Sequence, residues 1–201
     1  MKIALLADLH HHPQKEVIDA VRCIKPDIIT IAGDFVNRSY VSFVREMTVI
    51  APTFIGLGNH DVVYKSSVSV NIAKTKAILV DNRHIEYNGL LIGGLSTDRD
   101  LVWLKSFASN SRYKILICHH PEYYEKYIRD NNINLILSGH AHGGQVCLFG
   151  RGLFSPGQGV FPKYTSGVYE NRLIVSRGIA NTAAIPRIFN KQEVVCIELE
   201  K

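Results

Sequence analysis

The sequence predicts an α/β fold. Two observations carry that expectation: three strand–helix repeats open the chain, and each of their strands is a short apolar run that stops at a glycine or a ligand-type polar residue. A third concerns composition. With 46% hydrophobic and 20% charged residues in a chain of 201, there is enough apolar material for a two-sided core.

The elements follow in order. Lys2–Ala7 is a continuous apolar strand, as expected for a strand buried on both faces. Pro13 opens a helix over Gln14–Ile24, with Val17, Ile18, Val21 and Ile24 on one face. Asp27–Ala32 is a second strand, ending at Gly33-Asp34, and a helix over Tyr40–Ile50 follows. Pro52–Leu57 is the third strand, closed by Gly58-Asn59-His60-Asp61. A helix over Ser66–Lys76 leads to short strands at Ala77–Val80, His84–Tyr87 and Leu90–Gly93, with Asn88-Gly89 as a hairpin turn. Trp103 lies in a helix between Asp98 and Ala108. Tyr113–Cys118 is a strand running into His119, Glu122–Arg129 is helical, and Leu135–Ser138 is a strand running into Gly139-His140. Four glycines and a proline make Gly150–Gly159 a long loop, after which strands return at Gly167–Tyr169, Leu173–Ser176 and Val194–Leu199. There is no internal repeat or linker, so the expectation is one domain spanning residues 1–201.

Charge and cysteines narrow the function classes. The four cysteines, Cys23, Cys118, Cys147 and Cys196, form no C-x-x-C pair, which argues against a zinc knuckle and a disulfide framework; Cys118 and Cys196 are expected to be buried. The net charge of +5 is spread along the chain without a Lys/Arg block, so no dedicated nucleic-acid module is expected; two bound divalent ions would add to it and draw in anionic substrates. No run reaches the length of a membrane span and no signal peptide fits ahead of the first strand, which makes the cytoplasm the expected location. Peripheral membrane contact and oligomeric state stay open.

Five short blocks carry the chemistry: Asp8-Leu9-His10, Gly33-Asp34, Gly58-Asn59-His60-Asp61, His119-His120-Pro121 and Gly139-His140-Ala141-His142. Strand ends in an open α/β sheet converge on one rim, where such folds keep their sites. Asp-x-His and His-x-His each place two ligands on one face of an extended segment, so one ion can take both. Carboxylate with imidazole suits manganese, iron or zinc better than calcium, and the absence of thiolates argues against a structural zinc site. Asp34 follows a glycine, which lets backbone approach closely, and a carboxylate there can bridge two ions with its two oxygens.

Each block alone is weak. Gly-Asp is a common turn, only His10 of His10-His11-His12 has the needed spacing to Asp8, His119 and His120 compete, and His84 reads as a surface residue. All five at strand ends, in this order, are a ligand set for two ions.

In that combination the chain resembles the calcineurin-like metallophosphoesterases, whose signature runs D-x-H, G-D, G-N-H-[DE], H, G-H-x-H. Ser138 to Gln145, Ser176-Arg177-Gly178 and Ile185-Pro186-Arg187 resemble a bacterial subgroup that includes membrane-linked phosphodiesterases, among them UDP-diacylglucosamine hydrolases. The resemblance implies a four-layer α/β/β/α sandwich of two mixed sheets flanked by helices. It implies one ion on Asp8, His10, Asp34 and His142, another on Asp34, Asn59, His119 and His140, and Asp34 as the bridge. His119 is preferred over His120 because the family's fourth block reads His, any residue, Pro. His60 corresponds to the non-ligand histidine that acts as general acid, with Asp61 orienting it.

The implied activity is hydrolysis of an anionic phosphoester, with diesters favoured, by a hydroxide held between two divalent ions, manganese first and iron or zinc next. Arg177 and Arg187 are candidates for substrate contact, since arginine forks match phosphate. Gly143-Gly144 is expected to let backbone approach the metals, and Tyr123, Tyr124 and Tyr127 to pack a helix face. A phosphomonoesterase would share every one of these residues. A binding scaffold would tolerate an incomplete third block, whereas here it is complete. A nuclease would be permitted by the charge alone.

Overall fold

The computed structural model describes residues 1–10, 14–148, 151–180 and 186–200. Two sheets stack face to face. The first has the order β15-β1-β2-β3-β4, built from β1 (Lys2–Leu6), β2 (Ile28–Ala32), β3 (Thr53–Gly56), β4 (Ile78–Leu79) and β15 (Val195–Glu198). Its four N-terminal strands are parallel and β15 joins β1 antiparallel. The second has the order β13-β14-β8-β7-β6-β5, from β5 (Arg83–Tyr87), β6 (Leu90–Leu95), β7 (Tyr113–Cys118), β8 (Leu135–Ser138), β13 (Gly167–Tyr169) and β14 (Leu173–Val175). Its inner four strands are parallel and both edges are antiparallel.

The period-two alternation of the strands sorts apolar side chains into three layers. Ile3, Leu5, Ile28 and Phe54 of the first sheet meet Ile92, Ile115, Ile117 and Leu137 of the second. On the outer face of the first sheet, Leu6, Ile29, Ile31 and Ile55 pack against the helices α1 (Gln14–Ile24), α2 (Tyr40–Ile50) and α3 (Lys65–Ile72) through Val21, Phe43, Met47 and Val68. On the outer face of the second, Leu91, Leu116 and Ile136 pack against α4 (Leu101–Ser109) and against Tyr124 and Ile128. This is the expected α/β/β/α layering. Each aliphatic side chain that is fully buried contributes roughly 1.5–3 kcal/mol, so the strands ending at the rim are held from both faces.

Local signals explain several boundaries. Asn88 and Gly89 both have positive φ (48° and 77°), the geometry of the tight hairpin turn between β5 and β6. Asp100 caps α4 by accepting from the Trp103 amide at 2.8 Å. The structure also departs from expectation in places. The helix expected over Glu122–Arg129 is a single wide turn at Tyr124–Ile128, where the Arg129 amide donates to the carbonyl five residues back, on Tyr124.

The loop expected at Gly150–Gly159 instead contains small antiparallel pairs, β9 (Cys147–Leu148) with β10 (Arg151–Gly152) and β11 (Phe154–Ser155) with β12 (Gly159–Val160). Strand pairs of two residues carry no readable periodicity. Cys196, expected inside, is exposed, because on edge strand β15 it is Ile197 that faces the core. His11, His12, Pro13, Gly150 and Ile185 lie outside the described residues. No helix among the described residues is long and apolar enough to cross a membrane.

Candidate metal centre

The parallel strands of both sheets end on one rim, and the five sequence blocks occupy those ends. Asp8 and His10 follow β1, Asp34 follows β2, Asn59 and His60 follow β3, His119 follows β7, and His140 and His142 follow β8. The rim backbone is unusual: Asp8, His10, Asp34, His140 and His142 all have φ between 40° and 66°. Non-glycine residues rarely adopt this left-handed region, and such strain concentrates at functional sites.

The ligand-type atoms gather in two groups. Asp8, His10 and His142 bring one such atom each within 4.8 Å of one another, and so do Asp34, His119 and His140. All six residues are buried. Asp34 links the two groups, since its Oδ2 lies 3.3 Å from His119 Nε2, 3.7 Å from His10 Nε2 and 3.9 Å from His60 Nε2. Asn59 Oδ1 is 3.2 Å from His119 Nε2. His10 Nε2 is buried without a hydrogen-bond partner among the described residues, an orphan that a cation would satisfy.

Hydrogen bonds fix these groups in ligand-ready forms. Asp34 Oδ1 accepts the His60 amide at 2.9 Å, and the Asp8 carboxylate accepts the His140 amide at 3.0 Å. His119 Nδ1 faces the Ala32 carbonyl at 2.6 Å and His142 Nδ1 faces that of Ala180 at 3.1 Å. A carbonyl only accepts, so Nδ1 of His119 carries a proton and Nε2 is the nitrogen left for an ion, while at His142 the Arg187 guanidinium also stands 3.3 Å from Nδ1. Glycines make the close approach possible. A Cβ on Gly33 would sit 2.5 Å from His119 Nδ1, one on Gly178 2.5 Å from Asp8 Oδ2, and one on Gly58 would overlap Asp34 Oδ1.

The electrostatics are those of a cation site. Burial pushes His10 down to about 4 against the pull of Asp34 and Asp8, and burial with the neighbouring His119 and His120 rings pushes His140 down to about 2. Burial alone would raise Asp34, yet the charge and hydrogen bond of His119 hold it below the usual carboxylate range. Burial alone would lower His119, yet the Asp34 charge beside it carries it up to about 10, so a proton there takes the place of a cation. Oxygen and imidazole donors without thiolate, an orphaned nitrogen and close-packed glycines all fit two divalent ions.

His60 stands apart from this buried set. Its side chain is 61% exposed, with its ring edge-on to His10 at 5.1 Å. A cleft of about 470 Å³ opens beside it, lined by His10, Val36, Asn37, Arg38, His60 and Tyr64.

Two expectations are corrected, those for Asp61 and for Gly143-Gly144. Asp61 does not pair with the His60 ring among the described hydrogen bonds. It is fully buried, and its Oδ2 accepts the Asp34 and Gly58 amides at 2.6 and 2.9 Å while Oδ1 accepts those of Phe35 and Val36 at 3.1 Å. Burial and the Asp34 charge push its carboxyl up to about 6. Its position one residue past His60 at a turn sends the side chain inward, into the loop that carries Asp34.

The arginines are also tied to protein. Arg177 donates its amide to Glu193 Oε1 at 2.8 Å, and its side chain pairs with Glu193 Oε2 at 3.8 Å. Arg187 donates to the carbonyls of Gly178, Arg177 and Ala180 at 3.2, 2.7 and 2.5 Å, behind His142. Gly143 and Gly144 face Asn190 and Gly152 rather than the centre, because a Cβ there would meet those residues first. Sequence reasoning missed Gly178, which presses on Asp8, and Glu122, whose only signal was an acid two residues after His120.

The calcineurin-like phosphoesterase family model matches residues 1–144. The chain belongs to the calcineurin-like phosphoesterase family. Phosphodiesterase YaeI of Escherichia coli is 30% identical, over 98% of this chain and 82% of that protein. An uncharacterized metallophosphoesterase of Campylobacter jejuni is 27% identical over all of this chain, which spans 59% of the length of that relative. Among solved structures, an archaeal phosphodiesterase superposes with a TM-score of 0.55 at 16% identity, over 99% of this chain and 100% of the other, a likeness of fold.

Proposed function

We propose that the chain is a divalent-metal-dependent phosphodiesterase with a dinuclear centre within one domain. Asp8, His10, Asp34 and His142 would hold one ion, and Asp34, Asn59, His119 and His140 the other, with manganese as the first candidate and iron or zinc as the others. The observation that carries this reading is Asp34 Oδ2, one oxygen within 3.7 Å of imidazoles from both groups. The diester preference rests on similarity to a relative that bears the name phosphodiesterase.

When bound, two divalent ions supply Lewis acidity, neutralising phosphoryl oxygens and making a water nucleophilic near neutral pH. The chain's own residues do the rest. The carboxylates of Asp8 and Asp34, buried and held by backbone amides, face the rim. The buried imidazoles of His119 and His142, held through Nδ1 by carbonyls, cannot rotate away. His60, exposed at the edge of the centre, donates a proton to the leaving oxygen of an anionic phosphoester seated in the adjoining cleft. General acid catalysis of this kind contributes roughly 10²–10⁴-fold.

The test is hydrolysis of bis-p-nitrophenyl phosphate and p-nitrophenyl phosphate by metal-stripped protein reloaded with manganese, beside His60→Ala. Manganese-dependent diester cleavage, reduced roughly 10²–10⁴-fold in the variant, is the expected result. A faster monoester rate would replace the diester preference with a phosphomonoesterase, and no turnover with two ions bound would point to a scaffold.

A further inference from the structure

Beside the centre lies a cluster that the mechanism above leaves unused. His120, Glu122 and His140 bring one ligand-type atom each within 4.8 Å of one another. Glu122 Oε1 is 3.1 Å from His120 Nδ1 and 3.9 Å from His140 Nε2. The Glu122 side chain is only 14% exposed, and its second oxygen, Oε2, is buried with no hydrogen-bond partner among the described residues. The surroundings are closely packed. The His120 ring stacks on Tyr123 at 4.6 Å, and its Nε2 lies 3.5 Å from Thr97 Oγ1. Gly157, at φ 72°, covers the carboxylate so closely that a Cβ there would collide with Glu122 Oε1 and stand 3.3 Å from His140 Nε2.

An imidazole that binds an ion through one nitrogen carries its proton on the other, and that N–H needs an acceptor to hold the ring in place. His119 has the Ala32 carbonyl and His142 has that of Ala180. The His140 ring has no such hydrogen bond among the described residues, although its backbone amide is held by Asp8. The acid facing its Nε2 is Glu122. We propose that Glu122 is the positioning residue of His140: its Oε1, 3.9 Å from Nε2 in this structure, closes to accept the proton of that nitrogen while Nδ1 serves the ion shared with Asp34 and His119.

His120 Nδ1 holds the same oxygen, Oε1, from its other flank, which gives the two adjacent histidines His119 and His120 different duties. A third cation in the cluster is the rival assignment, but it would require His140 to serve two ions through both ring nitrogens. The inference rests on the dinuclear reading above and predicts an asymmetry within it: removing Glu122 weakens one of the two ions and spares the other.

The experiment is calorimetric titration of metal-stripped protein with manganese for the wild type, Glu122→Ala and Glu122→Gln, with thermal unfolding of each metal-free form. Cobalt absorption spectra of the loaded proteins report the ligand field. The wild type is expected to take two ions. Glu122→Ala should bind one as the wild type does and the other roughly 10–100-fold more weakly, with an altered cobalt spectrum. Glu122→Gln, which keeps an acceptor oxygen, should recover part of both.

Wild-type affinity for both ions in Glu122→Ala would overturn the proposal and leave the dinuclear reading standing. So would equal weakening of both ions with a less stable metal-free form, which would make Glu122 merely structural. A third ion in the wild type, lost in Glu122→Ala, would give the cluster to a cation instead. A wild type that binds no ion overturns the dinuclear reading and this inference with it.

Discussion

The two sheets bring unlike chemistry to the same rim. On the β1–β2–β3 side the anchored groups are carboxylates, and what anchors them is backbone N–H: His140 on Asp8, His60 on Asp34, and four amides on Asp61. On the β7–β8 side they are imidazoles, and what anchors them is backbone C=O: Ala32 on His119 and Ala180 on His142. Amides hold a carboxylate by its oxygens, whereas the Ala32 and Ala180 carbonyls face Nδ1 and leave Nε2 of each ring turned toward the centre. Each side therefore fixes its side chains through backbone groups of the opposite polarity. The anchors also cross between sheets, since the Ala32 carbonyl belongs to β2 while His119 follows β7, and Asp8 follows β1 while His140 follows β8. The rim is thus a joint between sheets as well as a site, and variants can be chosen to separate those two duties.

The largest effect is expected where the sides meet. Asp34→Asn replaces the one carboxylate that faces imidazoles of both groups. It should reduce bound metal to one ion or none and lower affinity by at least ~10²-fold, the upper end of what losing an outer-shell partner costs. His142→Ala, on one group alone, should leave the other ion in place. Metal content measured after gel filtration checks both. Two ions retained in Asp34→Asn would break the view of Asp34 as the shared group.

Next comes a residue that is pure anchor. Asp61→Ala leaves three buried amides and one half-buried amide without an acceptor and should cost about 3–5 kcal/mol of stability, read by urea unfolding of the metal-free protein. Asp61→Asn, which keeps one acceptor oxygen, should cost less. If Asp61 instead served the His60 ring, Asp61→Asn would lose turnover at unchanged stability, and the comparison between amide-anchored acids and carbonyl-anchored rings would lose its most heavily bonded member.

Much of this was legible in the chain. The ends of β7, β8, α1 and α2 fall where apolar runs and spacing put them, because burial on both faces leaves a strand no alternative pattern. The five blocks were legible because ligand chemistry restricts residue type and the Asp-x-His spacing survives in three dimensions. Side-chain direction in turns was not. Asp61 follows His60 directly, yet one turns into the loop and the other to solvent, since neither helix nor strand periodicity applies there. Arg187 was read by its chemistry as a phosphate contact, whereas its place behind His142 depends on backbone carbonyls of residues 177–180, which no local pattern reveals. Gly178 was visible only as a member of Ser176-Arg177-Gly178; what it touches is far away in sequence.

That glycine offers the smallest and most local perturbation. Gly178 has φ 70°, and an added methyl would stand 2.5 Å from Asp8 Oδ2, pressing from the second sheet onto an acid of the first. The left-handed backbone alone should make Gly178→Ala cost about 1–2 kcal/mol. The methyl must also displace the Asp8 carboxylate, which holds the His140 amide. The ion on the Asp8, His10 and His142 group should therefore weaken, while the one on Asp34, His119 and His140 changes less. Calorimetric manganese titration resolves the two, and thermal unfolding of the metal-free form gives the backbone cost separately. Equal weakening of both ions would mean that the crossed anchors make the rim one rigid unit, so that a push on one acid is felt by every ring. Unequal weakening would mean that each half is fixed by its own backbone partners and that Asp34 alone couples them.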